Sequence, residues 1–475
     1  MNNIKKNTIF SAISLFFQSG YSAILGFAAN LALTILLTPK IFGIYYTVLS
    51  LIAILNYFSD IGLSASLIQK KEINDDDIKT TFTIQQTLIL TIIAIGFFAT
   101  NPIISFYKLP VEGKYLYWSL LFSFFLSSLK TIPSILLERK IEFQKIVLVQ
   151  IVENTFFYLT VIILAVLNFS LNSFTVAVIF RSLVGLVLIY KISPWSIKIG
   201  INKSSAKKLL SFGLPFQISS FLALVKDDLL TLYLGKTLGF EVLGYLGWAK
   251  KWAESTLRMI MDSLSRVLFP LFSRIQENKE KLKNTVEKII FYQSLIIIPS
   301  IFGLMIVMEK LVFLIPKYQK WQTALPFFYL FSLSSLFSSF STPFINLLNG
   351  LGKVKISFNF MVFWTISTWI LTPILTKIYG GIGFPVTLLI LSSTFIVVIF
   401  ITKKVVNFSF IKNVLPPFFS SIIMFFSVFL FFNFLPLNFF YLFLGIFFGI
   451  IIYLFALRFV FQINPIKEIK ILWKK

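Results

Sequence analysis

Fourteen long apolar runs leave this chain few ways to fold. They fall at about 12–37, 41–63, 82–101, 115–137, 146–167, 172–190, 209–235, 240–270, 288–315, 322–348, 354–377, 380–402, 413–434 and 438–460. A helix crosses the hydrocarbon of a bilayer with about 20 apolar residues, whereas a β-barrel strand uses about ten in strict alternation. These runs have the helical length and lack the alternation. In lipid, a helix satisfies its own backbone polar groups. The expected fold class is therefore an all-α membrane protein of about 14 transmembrane helices. Composition agrees, with 57% of residues apolar and only 13% charged. The first run follows Lys5 and Lys6 without a small-residue cleavage site, and is expected to be a retained helix rather than a removed signal.

The chain has no cysteine and no histidine. Disulfides, thiol nucleophiles, Cys/His metal sites and histidine general bases are excluded, and no metal site is expected. No loop between runs exceeds roughly 20 residues, so no soluble domain is expected on either side. A membrane glycosyltransferase or polymerase, which places its chemistry on a large extracytoplasmic loop, is the less favoured reading. We expect the chain not to be an enzyme. No Walker motif is present, and Gly380-Gly381-Ile382-Gly383 resembles a phosphate loop only superficially, because it joins two apolar runs without a following Lys-Ser/Thr.

The net charge of +24 is distributed by side. One set of loops and ends, including Lys70, Lys71, Arg139, Lys140, Lys207, Lys208, Lys279, Lys281, Lys403 and the tail Lys467, Lys470, Lys474 and Lys475, carries 27 cations against 8 on the opposite set. Cytoplasmic loops are enriched in Lys and Arg. Both termini are thus expected in the cytoplasm, with the protein multi-pass in the cytoplasmic (inner) membrane. The charge is mostly topological, and a nucleic-acid partner is not expected.

A repeat is visible at a spacing of about 200 residues. Leu36-Leu37-Thr38-Pro39-Lys40-Ile41-Phe42-Gly43-Ile44-Tyr45 recurs as Leu234-Gly235-Lys236-Thr237-Leu238-Gly239-Phe240-Glu241-Val242-Leu243-Gly244-Tyr245, with Gly43 and Gly244 201 positions apart. The expected organisation is an N-lobe at 1–195 with helices 1–6, a C-lobe at 196–408 with helices 7–12, and two additional transmembrane helices with a tail at 409–475. An even helix number makes the two lobes parallel repeats.

The Phe-Gly-x-Tyr junction after the first run, the stretch Phe58-Ser59-Asp60-Ile61-Gly62-Leu63-Ser64-Ala65-Ser66-Leu67-Ile68-Gln69-Lys70, and the Leu-Gly-x-x-x-Leu-Gly-Tyr pattern at 238–245 resemble the polysaccharide transporters of the MOP superfamily, the Wzx-type flippases of lipid-linked oligosaccharides. The resemblance implies two six-helix lobes in a V around a central cavity, plus two trailing helices. It also implies a flippase that moves polyprenyl-(di)phosphate-linked oligosaccharide across the cytoplasmic membrane by alternating access, for cell-surface polysaccharide or lipopolysaccharide biosynthesis. The implied partners are that lipid-linked substrate, the lipid bilayer, and a polysaccharide polymerase and glycosyltransferases. Many relatives carry an aspartate five residues before the glycine matching Gly235. Here that position is Leu230, with Asp227 and Asp228 nearly one turn earlier. A multidrug/cation antiporter and a lipid II flippase of the same superfamily stay open as alternatives.

Ionisable groups inside spans are costly unless they face a cavity or each other, so each is a candidate functional group. In the eighth run Lys250, Glu254, Arg258, Asp262 and Arg266 alternate in sign at four-residue spacing, which stacks them on one helix face. With Lys251, this group of four cations and two carboxylates carries net +2. Either the ladder only solvates a helix face, or its surplus cations hold an anionic headgroup. The candidate headgroup residues are Arg181, Lys250, Lys251, Arg258 and Arg266. The candidate ion-coupling or gating residues are Asp60, Glu153, Asp227, Asp228, Glu254 and Asp262. Adjacent carboxylates in low dielectric suit a proton or sodium site, although pairing of Asp227 and Asp228 with eighth-run cations such as Lys250 is the plainer alternative. Glu153 and Arg181 are expected to pair between neighbouring helices, unless Arg181 serves as the N-lobe's phosphate ligand. Asp60 reads as a helix cap or a gate. Gln85, Gln86, Gln150 and Asn154 suit helix–helix hydrogen bonds or sugar contacts. No cofactor is expected beyond coupling to Na+ or H+.

Overall fold

The computed structural model describes residues 2–218 and 224–464. The C-terminal lysines Lys467, Lys470, Lys474 and Lys475, and residues 219–223 of the seventh run, lie outside the described residues. Every regular element described is helical. The chain divides into two compact units, Met1–Gly244 and Tyr245–Lys475.

The first unit begins with α1 (Asn2–Leu36), α2 (Pro39–Asp60), α3 (Leu63–Gln69), α4 (Asp75–Phe98), α5 (Thr100–Tyr107), α6 (Val111–Leu129) and α7 (Thr131–Arg139). It continues with α8 (Phe143–Val166), α9 (Asn172–Ile192), α10 (Lys203–Ile218), a π-turn at Val225–Leu229 and α11 (Leu230–Leu238). α8 lies between α1 and α9, α9 also packs on α6, and α2 packs on α4, α6 and α11. Local chemistry sets the ends. Pro39 opens α2 at a position where its missing N–H costs nothing. Asn74 and Asp77 form a reciprocal capping box at the start of α4, and Asp75, Asp76 and Asp77 place negative charge at its positive dipole end. Between α2 and α3 the backbone turns through left-handed values at Ile61 and Gly62, φ 41° and 76°. The Asp60 carboxylate accepts from the Ser64 amide at 3.1 Å and its hydroxyl at 2.7 Å, which satisfies the new helix. The Arg139 guanidinium closes the other end of α3 by donating to the carbonyls of Leu67, Ile68, Lys70 and Lys71.

The repeated junctions meet inside this unit. A β-carbon on Gly43 would lie 1.7 Å from the Phe240 carbonyl oxygen, and one on Gly244 would lie 1.9 Å from that of Pro39. Phe240 is the repeat partner of Pro39, as Gly244 is of Gly43, at the same offset of 201. The contact is therefore reciprocal, as a local two-fold relation between the two helix starts requires. Only residues without a side chain let the backbones approach this closely.

α12 (Phe240–Ile275) runs from this junction into the second unit, followed by α13 (Lys279–Leu314), α14 (Leu325–Gly350), α15 (Val354–Tyr379), α16 (Gly383–Ser393), α17 (Phe395–Lys403), α18 (Phe410–Phe434) and α19 (Phe439–Phe455). Leu268 and Phe272 of α12, Val286 and Ile290 of α13, and Phe344 and Leu347 of α14 share one apolar core. The trailing helices α18 and α19 pack on α13 through Met424, Val428, Leu442 and Tyr453 around Ile306. Phenylalanines such as Phe98 and Phe434, each 82% exposed, give the outer surface an apolar character suited to lipid.

Among the described residues, eleven stretches are long and apolar enough to cross a membrane. The expected number of fourteen is not reached by that measure. Val354–Lys403 is one such stretch, although a short 3-10 turn at Gly380–Ile382 breaks it into two of the expected runs. The eighth run carries too many charges to qualify, and those charges bear on function; part of the seventh run lies outside the described residues.

Candidate substrate and coupling sites

In the first unit, a layer of polar groups links α2, α4, α6, α7 and α8. The Gln85 side-chain amide donates to both the Asp60 carboxylate and the Thr131 hydroxyl at 3.4 Å. Gln86 donates to Ser128 at 3.1 Å. Lys130, at the break between α6 and α7, forms an ion pair with the buried carboxylate of Glu153 in α8. The expected Glu153–Arg181 pair is thus replaced. Helix α9 presents Gly185 to Glu153, where a β-carbon would fall 1.5 Å from the carboxylate oxygen. The carboxylate occupies the space a side chain would need, and the lysine pairs with it there. Neither Lys130 nor Gly185 was expected to have this role; a glycine in an apolar span is the only signal that could have pointed there.

Arg181, left without Glu153, is exposed, and its guanidinium carbon lies 5.7 Å from the centre of the Phe157 ring. It has no carboxylate partner among the described residues. Asp227 and Asp228 sit on the π-turn that precedes α11, Asp227 exposed and Asp228 half-buried. Asp228 lies close to the Ser50 hydroxyl of α2. A π-turn lets consecutive side chains leave the regular helical positions, and such turns recur at functional sites. Asp60, Glu153 and the aspartate pair are held by different neighbours and do not form one cluster.

In α12, Glu254 is shared by two cations. Arg258 donates to it from Nε at 3.2 Å and from a terminal nitrogen at 2.9 Å, and the Lys250 ammonium lies 3.8 Å away. Lys250 also lies over the Phe384 ring at 5.9 Å. Lys251 is exposed and has no carboxylate within ion-pair distance among the described residues. The side chains of Asp262 and Arg266, the far end of the expected ladder, lie outside the described residues. Among the described side chains, Lys250, Lys251 and Arg258 thus stand over about 12 Å of helix with one carboxylate, Glu254, which pairs with Lys250 and Arg258. This arrangement can hold a multiply charged anion by hydrogen bonds and charge, with Arg258 71% exposed for the purpose. Among the described residues no three His, Cys, Asp or Glu side chains gather as metal ligands.

Comparison with known proteins places this chain among others. The lipopolysaccharide biosynthesis protein WzxC of Escherichia coli (strain K12) is 26% identical over 335 residues, covering 68% of this chain. The chain spans 66% of that relative's length, just under two thirds. The succinoglycan biosynthesis transport protein ExoT of Rhizobium meliloti (strain 1021) is 22% identical over 329 residues, covering 68% of this chain and 65% of its own. Among solved structures, one described as the lipid II flippase MurJ in an inward closed conformation superposes with a TM-score of 0.74, covering 96% of this chain and 99% of that one at 17% identity. That likeness is one of fold. The family described as polysaccharide biosynthesis protein matches residues 32–326, from the end of α1 into α14 and through both charged helices. By that match over more than half of its length, this multi-pass membrane chain belongs to the polysaccharide biosynthesis protein family.

Proposed function

We propose that the chain is a flippase that carries polyprenyl-(di)phosphate-linked oligosaccharide from the inner to the outer leaflet of the cytoplasmic membrane. The observation that carries this reading is the cation surplus on α12, where, among the described side chains, Lys250 and Arg258 share Glu254 and Lys251 has no carboxylate partner. Desolvating a diphosphate is the largest barrier to moving such a lipid, and fixed Lys and Arg groups lower it. A carrier of cationic drugs needs the opposite sign. The relatives named for lipopolysaccharide biosynthesis and succinoglycan transport support the glycan side of the reading. In this scheme the work is transport rather than bond chemistry, both termini lie in the cytoplasm, and Asp227 and Asp228 couple transport to a proton or sodium gradient. Glycosyltransferases supply the substrate, and a polymerase consumes it outside.

The test is reconstitution into vesicles that contain a fluorescent polyprenyl-diphosphate oligosaccharide. The label is expected to change leaflet faster than in protein-free vesicles, and an imposed proton or sodium gradient is expected to change that rate. Folded protein that moves none of a panel of glycans would overturn the proposal.

A further inference from the structure

Two tyrosines of the first unit, Tyr45 and Tyr158, lie within reach of the Arg181 charge, with Tyr46 beside Tyr45, and their hydroxyls make no hydrogen bond among the described residues. Tyr45 is fixed by stacking on Phe174, with ring centres 4.1 Å apart, and touches Tyr46 at 6.0 Å. Tyr158 lies on α8 next to Phe157, the ring that Arg181 covers. The charge of Arg181 acts on the hydroxyls of both Tyr45 and Tyr158, and Tyr158 lies near enough to act on Tyr45 and Tyr46. Counted from the helix ends at the lysine-poor loops, Tyr45, Tyr46, Tyr158 and Arg181 lie roughly 9 to 14 Å into α2, α8 and α9, in one layer.

The state of the hydroxyls sets these tyrosines apart. Those of Tyr21, Tyr117, Tyr190 and Tyr453 each hydrogen-bond to the protein. Those of Tyr45, Tyr46 and Tyr158 have no such bond among the described residues, yet they are not among the enclosed unsatisfied polar atoms. They are half-buried at membrane depth, near a cation that has no carboxylate partner among the described residues. Lipid tails cannot satisfy such groups, so their partner is water or a polar ligand. An apolar wall with a few convergent polar groups is the composition of a small-molecule site. A tyrosine offers a saccharide both a ring face and a hydroxyl.

We propose that Arg181, Tyr45, Tyr46 and Tyr158 form a subsite for a sugar diphosphate, with Arg181 on the phosphate and the tyrosines on the first sugar. This rests on the flippase reading and names the part of the substrate that the first unit reads. The tyrosines are then specificity-determining residues, since a site built to hydrogen-bond a hydroxyl discriminates strongly against a ligand that lacks it.

The test measures binding of the purified full chain to undecaprenyl diphosphate alone and to undecaprenyl diphosphate bearing glucose, galactose or N-acetylglucosamine. At least one sugar is expected to tighten binding by about fivefold or more over the bare diphosphate. Tyr158→Phe and Tyr45→Phe keep the rings, and are expected to abolish that gain while leaving affinity for the bare diphosphate unchanged. Arg181→Gln is expected to weaken both kinds of probe by about tenfold, with recovery in Arg181→Lys. The subsite is overturned if no sugar tightens binding, or if the tyrosine variants affect both probes alike. In that event, leaflet exchange by the wild type would leave the flippase reading standing, and its absence would remove both.

Discussion

Glu153 can be charged inside a helical bundle because two residues are arranged around it, Lys130 as counter-ion and Gly185 as empty space. A buried pair of this kind is strongly destabilised by removing one partner, which strands the other charge, and much less by removing both. Lys130→Met and Glu153→Gln should each lower stability by about 3 kcal/mol, and the double variant by clearly less than the sum. Thermal or denaturant unfolding of the detergent-solubilised protein checks this, and strict additivity would contradict the pairing. The charges themselves were legible in the sequence, because any ionisable residue in an apolar run stands out. Their pairing was not legible. It depends on the break between α6 and α7 that turns Lys130 toward α8, and on the rotation of α9 that offers Gly185 rather than Arg181. The open tyrosine hydroxyls were equally hidden, since seventeen tyrosines in a chain rich in aromatics carry no mark of which are bonded.

Along α12, the four-residue spacing translated directly into contacts, because residues at i and i+4 meet on any straight helix. The Lys250–Glu254–Arg258 set is the part of that pattern on described side chains. Glu254 sits between two cations and offsets both. Glu254→Gln should therefore raise the affinity for a polyprenyl diphosphate by about threefold or more, while Arg258→Ala lowers it, with little change in protein abundance for either. Binding of the labelled lipid in detergent measures both directions; equal losses in the two variants would mean that the ladder only supports the helix. The seventh run was harder to read. Its charges Asp227 and Asp228 fall on a π-turn, a departure from regular helix that hydrophobic periodicity does not register.

For the molecule as a whole, apolar length was enough to establish the all-helical class, because lipid permits so few backbone arrangements. Element boundaries moved where a short helix follows a run or splits one, as α3 and α7 do. Orientation rests on the lysine bias, and the absence of cysteine makes it directly measurable, since an introduced thiol has no background. Asn168→Cys and Lys377→Cys should react with a membrane-impermeant maleimide on intact cells. Lys279→Cys and Lys353→Cys should react only after permeabilisation. The reverse pattern would invert the topology and with it the proposed direction of transport.

The reciprocal meeting of Gly43 with Phe240 and of Gly244 with Pro39 has an evolutionary consequence. Each glycine faces the backbone of the other copy's junction, so no rotamer change in a neighbour can make room for a new side chain. A larger residue at either position forces the same two helix starts apart and loosens the contact made by the other. The two sites therefore answer to a single selective constraint, although they lie 201 residues apart in the gene product. Neither glycine is therefore expected to change alone, and relatives that keep this junction are expected to keep both.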